Sequence, residues 1–168
     1  MLLGSTANNN GNSKGTESLV LQLISQQRYA EVYELLNDQQ TTSTASLYNM
    51  ALCLHWSGNY QEALNRLDII RLAPQLNNEN KLNANHDYKQ IRNKQNSTDD
   101  YLQGISEAYI KSFPGLVYDA VIRLKTDCWL QLGNHPKVRA IATPIAHKGY
   151  KNITDALELA NTADDKRI

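Results

Sequence analysis

The side chains best suited to chemistry in this chain are its two cysteines, its four histidines and a few adjacent aspartates. Cys53 and His55 lie two positions apart, a spacing that places their side chains on different faces of a helix. The other histidines, at positions 86, 135 and 147, are scattered, and neither a CxxC pair nor an HExxH motif is present. Zinc therefore lacks its usual ligand spacing, and we predict no metal site.

The remaining reactive groups have simpler explanations than catalysis. Cys53 and Cys128 fall on apolar faces of predicted helices, where buried free thiols in a reducing compartment are expected. The aspartate pairs at 99–100 and 164–165 fit a helix start and a charged tail. A glycine-rich phosphate loop is absent from the sequence. Serine, cysteine and histidine can still meet in space, but no local motif indicates this, so we predict neither a cofactor nor catalytic residues.

The composition is that of an ordinary globular domain: 168 residues, of which 41% are hydrophobic and 20% charged. Seventeen basic and 17 acidic side chains balance, so the basic excess typical of nucleic-acid-binding proteins is missing. No apolar run approaches the roughly 18 residues that a membrane span needs. The first residues also lack the basic and apolar regions of a secretory signal. We therefore expect a cytoplasmic protein that binds neither nucleic acid nor membrane.

Apolar side chains recur at helical spacing along most of the chain, and no stretch shows the alternation of a β-strand. Residues 1–15 are predicted to be a disordered tail, and residues 16–168 a single all-α domain. The predicted helices cover approximately residues 16–25, 29–36, 43–56, 60–72, 98–113, 116–132, 136–145 and 152–162. A polar, Asn-rich insert at 77–97 is expected to be a long loop or a frayed helix, with a helical turn near 88–92. Pro144 is expected to kink or shorten its helix.

The clearest pair of helices lies in residues 47–74, LYNMALCLHWSGNYQEALNRLDIIRLAP. Gly58 is expected to adopt the left-handed conformation that ends the first helix, and Pro74 to prevent the second from continuing. Ala51 and Ala63 are small residues at the positions where the two helices would touch. The segment therefore predicts an antiparallel helix hairpin.

Two further segments share this arrangement, in which an apolar helix face is followed by a turn and then by a second apolar helix face. They are residues 21–36, LQLISQQRYAEVYELL, and residues 128–141, CWLQLGNHPKVRAI. Together the three segments resemble the tetratricopeptide repeat, a pair of antiparallel helices that stacks on its neighbours. Gly58 and Tyr60 match the family's turn, whereas Gln27 and His135 depart from it. The resemblance implies an all-α stack of helix hairpins, a TPR-like α-solenoid, with a C-terminal helix capping the last exposed face.

In proteins of this family the first helix of each pair lines a concave groove that binds peptides. Carried onto this chain, the resemblance places six candidate partner-binding residues on the groove: Tyr48, Asn49, Leu52, His55, Arg123 and Asp127. Tyr48, Leu52 and His55 lie on one helix face, at the spacing i, i+4 and i+7. The alternative is that the groove residues pack against the chain's own helix at 98–113. Arg123 and Asp127, one turn apart, are expected to form a weak surface ion pair.

The resemblance implies a non-catalytic adaptor or scaffold that binds a protein or peptide partner, and the small size suits a subunit of a larger complex. Some family members hold a C-terminal carboxylate with Lys, Arg and Asn, but only Asn49 matches that set here. A dedicated chaperone that shields a segment of a partner is one alternative function. An enzyme is another, with its site between the insert and the hairpins, where Tyr, His and Asp side chains would converge.

Overall fold

The computed structural model describes residues 9–39, 42–72 and 86–165, with side chains from residue 14 to 162, and these ranges are helical without any β-strand. They contain nine α-helices and two 3-10 helices. In chain order, α1 to α9 are Asn9–Ser25, Tyr29–Gln39, Thr44–Trp56, Tyr60–Ile69, His86–Asn96, Glu107–Ser112, Pro114–Gln131, His135–Ala142 and Lys151–Asp165. The 3-10 helices are Asp100–Leu102 and Thr143–Lys148. None of the described helices has the length and apolar character to cross a membrane.

Three helix hairpins, α1–α2, α3–α4 and α7–α8, form the body of the molecule. Helix α2 also packs on α3, and α4 packs on α7, so the hairpins follow one another in chain order. Helix α9 packs on both α7 and α8. One hydrophobic cluster extends from α1 to α7, and smaller clusters join α7, α8 and α9. The prediction of an all-α fold is confirmed.

The three hairpin turns share one backbone conformation and one hydrogen-bond pattern. Each contains a residue with positive φ, namely Gln27 at 59°, Gly58 at 82° and Gly133 at 68°. In each, the next backbone N–H donates to the carbonyl oxygen five residues earlier: Arg28 to Leu23, Asn59 to Leu54 and Asn134 to Trp129. This bond closes a Schellman motif, which satisfies carbonyl groups at the end of the first helix. The left-handed conformation predicted for Gly58 is present, and Gln27 adopts it despite its Cβ.

Replacing Gly58 with alanine is expected to lower the free energy of unfolding by about 1 kcal/mol, because alanine disfavours positive φ. A Cβ at Gly58 would meet no atom within 4 Å, so a clash does not contribute. The matched control is Gly15→Ala inside α1, where a Cβ also meets nothing and alanine should stabilise the helix by up to about 1 kcal/mol. Urea denaturation measures both changes. Midpoint shifts of the same sign in the two variants would contradict the assigned turn.

The small residues at the α3–α4 contact are fully buried. Ala51 and Ala63 are each 0% exposed, and Leu64 and Leu67 from α4 are at most 1% exposed. Alanine lets the two helix backbones approach closely, so the leucines of α4 can reach the cluster shared with α1 and α7. This packing fixes the orientation of α3, which carries most of the predicted groove residues.

The prediction of one helix over residues 98–113 is wrong. The chain forms the 3-10 turn at Asp100–Leu102, continues in an extended conformation, and resumes as α6 with Ser106 as its N-cap. The extended stretch presents the backbone N–H and C=O of Ile105 to the side chain of Asn49, whereas an α-helix would use both groups internally. Gly104 passes so close to α1 that a Cβ would lie 2.8 Å from Leu21 Cδ2. We call residues 98–107 the crossing segment.

Other predicted boundaries also differ from the structure, and α4, predicted to reach residue 72, ends at Ile69. Helix α1 begins at Asn9 rather than near Thr16, so the second half of the predicted tail is helical, and residues 1–8 lie outside the described ranges. Helix α8 ends at Ala142 and continues as a 3-10 helix, since Pro144 cannot donate a backbone bond. The stop predicted at Pro74 also lies outside the described ranges.

Part of the predicted insert is an ordered helix. Residues 86–96 form α5, and residues 77–85 lie outside the described ranges. Arg92 donates from a terminal guanidinium nitrogen to the Tyr150 hydroxyl at 2.8 Å, and Asn96 Nδ2 donates to the carbonyl oxygen of Lys148 at 2.9 Å. Helix α5 is therefore attached to the C-terminal region by polar contacts, which an apolar periodicity does not reveal.

Candidate functional site

The crossing segment lies against the first helices of all three hairpins. One side chain from each of these helices hydrogen-bonds to a backbone group of the segment: Glu17 from α1, Asn49 from α3 and Arg123 from α7. In addition, Glu107 accepts a bond from the backbone N–H of Ala45 at 2.9 Å, near the start of α3. The face that would line a peptide groove is therefore covered by the chain itself.

Tyr48, Asn49 and Leu52, three of the candidate partner-binding residues, are each at most 2% exposed. Asn49 Nδ2 donates to the carbonyl oxygen of Ile105, and Asn49 Oδ1 accepts from the backbone N–H of the same residue, both at 2.9 Å. The Tyr48 hydroxyl donates to the carbonyl oxygen of Tyr101. Burial raises the pKa of Tyr48 far above its usual value, so its hydroxyl remains a donor. Tyr48 and Asn49 therefore contact the chain's own crossing segment, as in the alternative that the groove residues pack against residues 98–113.

His55 and Asp127, two further candidates, meet beside the crossing segment and are partly accessible. Asp127 Oδ2 accepts from the Tyr101 hydroxyl at 2.8 Å and lies 3.4 Å from His55 Nε2. Burial, followed by the nearby Asp127 carboxylate, raises the pKa of Tyr101, which keeps this hydroxyl protonated. The side chains of His55 and Asp127 are 17% and 21% exposed. This pair is therefore reached by solvent while the crossing segment stays in place.

Arg123, the remaining candidate, is buried rather than presented to a partner, with 2% of its side chain exposed. One terminal nitrogen forms an ion pair with Asp100, and the other donates to the carbonyl oxygen of Thr98 at 2.7 Å. Its Nε donates to Asn152 Oδ1 at 2.8 Å. The expected surface ion pair between Arg123 and Asp127 is therefore wrong, because the guanidinium points at the crossing segment and α9.

The Arg123 guanidinium also lies between two aromatic rings. Its central carbon is 4.4 Å from the ring centroid of Tyr101 and 4.5 Å from that of Tyr150. Burying a charge is costly unless it is paired and hydrogen-bonded, and here both conditions are met. Arg123 thus joins the crossing segment to the C-terminal region, which is a positioning role within the fold.

Neither cysteine is an available nucleophile. Cys53 and Cys128 are free and buried, and burial raises the pKa of each thiol to about 12. Since the thiolate is the reactive form, both groups are inert near neutral pH. In the part of the chain that the structure describes, no group of three or more His, Cys, Asp or Glu side chains is arranged to hold a metal ion.

A second surface, which sequence reasoning missed, presents exposed aromatic rings. Trp56, the last residue of α3, is 63% exposed and stacks on Tyr29 with 5.0 Å between ring centroids. Tyr33 lies one turn further along α2 and is 43% exposed. We call these three residues the aromatic edge. The two tyrosines follow the apolar stripe of α2, so their spacing alone indicated a core position.

Within the described ranges the protein is thus all-helical, with a covered inner face and the exposed aromatic edge. No protein-family model, curated protein or solved structure matches it. The resemblance to the tetratricopeptide repeat therefore depends on the sequence of the hairpins alone.

Proposed function

We propose that this protein is a non-catalytic adaptor built from stacked, TPR-like helix hairpins, and that it works as a subunit of a larger complex. The shared turn geometry and the order in which the hairpins contact one another support this architecture. Such stacks present extended surfaces to protein partners. The partner is a protein segment.

The partner binds outside the covered inner face. A segment that replaced the crossing segment would have to compensate for the two bonds of Asn49, the bond of Tyr48 and the ion pair of Arg123. Tyr101 and Ile105 would also leave the hydrophobic cluster, where they are 5% and 6% exposed. This cost favours a docking surface that is already accessible.

The observation that carries the proposal is the exposed Trp56 stacked on Tyr29. Tryptophan and tyrosine dominate the energetics of protein interfaces because they bury large areas and lose few rotamers. The stack holds the indole in place before a partner arrives, which lowers the ordering cost of binding. His55 and Tyr60 are also partly exposed, and their ring centroids lie 5.4 Å apart.

Two observations support the absence of catalysis. Both thiols remain protonated near neutral pH because burial raises the pKa of each to about 12. The enzyme alternative requires Tyr, His and Asp side chains to meet in a cavity between the insert and the hairpins. The cavity of about 230 Å³ between α5 and α7 has no histidine among its lining residues, and His55 meets Asp127 outside it.

The test is affinity capture from a native extract with the immobilised protein, quantified by mass spectrometry. The double variant Trp56→Ala, Tyr33→Ala is expected to retain a specific partner at least about tenfold less well, because hot-spot aromatics contribute more than about 1.4 kcal/mol each. Each variant must first show the wild-type urea midpoint.

The matched control is Phe113→Ala combined with Leu159→Ala. Phe113 lies just before α7 and is 51% exposed, and Leu159 lies on α9 and is 54% exposed. This control should retain the partner normally. Equal loss of the partner in both double variants, or normal retention by the aromatic-edge variant, would refute the aromatic edge as the docking surface.

A further inference from the structure

A cavity of about 230 Å³ lies between α5, the crossing segment, α6 and α7. Its apolar walls are aromatic and aliphatic, and they include Tyr101, Tyr109, Leu116 and Ala120. An apolar cavity of about 150 Å³ is enough to bind benzene. The space therefore accommodates one aromatic ring together with a small substituent.

The charges on the cavity wall are matched except for one. Asp119 is buried, with both carboxylate oxygens 2.9 Å from Lys148 Nζ and one of them accepting from the Tyr150 hydroxyl at 2.7 Å. Arg123 is matched by Asp100. Arg92, from α5, also lines the cavity, but within the described ranges no carboxylate lies within ion-pair distance of it.

Arg92 keeps donors free for a ligand. One terminal nitrogen donates to the Tyr150 hydroxyl at 2.8 Å, and the other makes a long 3.4 Å contact with Gln95 Oε1. A guanidinium has five N–H donors in a fixed fork, whose geometry suits a carboxylate. The Tyr150 hydroxyl that holds Arg92 is itself held by Asp119, so the guanidinium is oriented before any ligand binds.

We propose that this cavity binds a small aromatic carboxylate, with the carboxylate on Arg92 and the ring against the tyrosine and aliphatic walls. The surplus positive charge selects an anion, and the partly closed cavity strengthens that attraction. The volume restricts the ligand to a single ring. This binding site is separate from the aromatic edge and does not depend on the adaptor function.

Isothermal titration calorimetry of the full chain with benzoate and phenylacetate tests the proposal. We expect saturable binding of at least one of them, at least about tenfold tighter than that of the neutral isosteres benzamide and phenylacetamide, because only the anion can pair with Arg92. Inorganic phosphate should bind more weakly than the better aromatic anion. Equal affinity for phosphate would mean that the site recognises charge alone, and absence of saturable binding by both carboxylates would equally overturn the proposal.

Three variants locate the binding. Arg92→Gln should weaken the binding of the carboxylate by about tenfold or more, while Lys94→Gln, which removes an exposed charge from the same helix, should leave it unchanged. Ala120→Leu adds side-chain volume to the cavity wall while the arginine at position 92 is kept, and it should weaken the binding of the carboxylate by about tenfold or more as well. Unchanged affinity in both Arg92→Gln and Ala120→Leu would place the ligand elsewhere and refute the site. The comparison of carboxylate with amide in the wild-type protein decides the question of charge even if a variant folds poorly.

Discussion

Replacing Arg123 with alanine is expected to lower the free energy of unfolding by about 3 kcal/mol, because breaking a buried ion pair leaves its partner uncompensated. Asp100 would lose its cation, and the acceptors on Thr98 and Asn152 would lose their donors. The space between the rings of Tyr101 and Tyr150 would also be emptied. Urea denaturation, followed by far-UV circular dichroism, measures the change.

Two comparisons separate this effect from the loss of any arginine. Arg28→Ala removes a side chain that is 59% exposed, whose pair with Glu31 lies on the surface, and should cost less than about 1 kcal/mol. Arg123→Lys keeps the charge but loses the planar fork, so its midpoint should fall between those of the wild type and of Arg123→Ala. If Arg28→Ala and Arg123→Ala shift the midpoint equally, the buried network does not hold the fold together.

Replacing Asn49 with leucine is also expected to cost about 3 kcal/mol. The backbone N–H and C=O of Ile105 would both lose their partner, and each unsatisfied buried group costs about 1–3 kcal/mol. Leucine is similar in size, so the change arises from hydrogen bonding more than from volume. The matched control is Asn65→Leu on the exposed side of α4, which should change the free energy of unfolding by no more than about 0.5 kcal/mol.

Amide hydrogen exchange gives this prediction a local readout. In the wild-type protein the Ile105 amide is protected by Asn49, whereas in Asn49→Leu it should exchange much faster relative to amides in the middle of α3. Unchanged protection at Ile105 together with an unchanged urea midpoint would mean that Asn49 does not hold the crossing segment.

The hairpins could be predicted from the sequence because their signals are local. Gly58 and Gly133 adopt the positive φ that ends their own helices. Pro144 shortens α8 because it has no backbone N–H to donate. Gln27 was harder, since its positive φ is imposed by the helices on either side rather than by the residue. Spacing along a helix identifies a shared face, but it does not identify what covers that face.

The conformation of the crossing segment could not be predicted, because local sequence signals do not identify the partners of a segment. Its conformation depends on partners far away in sequence, such as Asn49 for Ile105, which are 56 positions apart. The local signals around residues 97–100 favoured a helix, and tertiary hydrogen bonds prevailed over them. Helix α5 is a similar case, because Arg92 and Asn96 attach it through polar contacts rather than through an apolar stripe.

The covered inner face affects how cooperatively the hairpins unfold. In a simple repeat array each unit touches only its neighbours, so stability is close to a sum of nearest-neighbour contributions and the ends can fray separately. Here a single stretch of chain is bonded to α1, α3 and α7 at once, and Glu17 meets the backbone of Glu107 across 90 positions of sequence. No hairpin can open alone without breaking contacts that the others share. We therefore expect the three hairpins to unfold as one cooperative unit, and folding to be completed only when the most distant parts of the chain have come together.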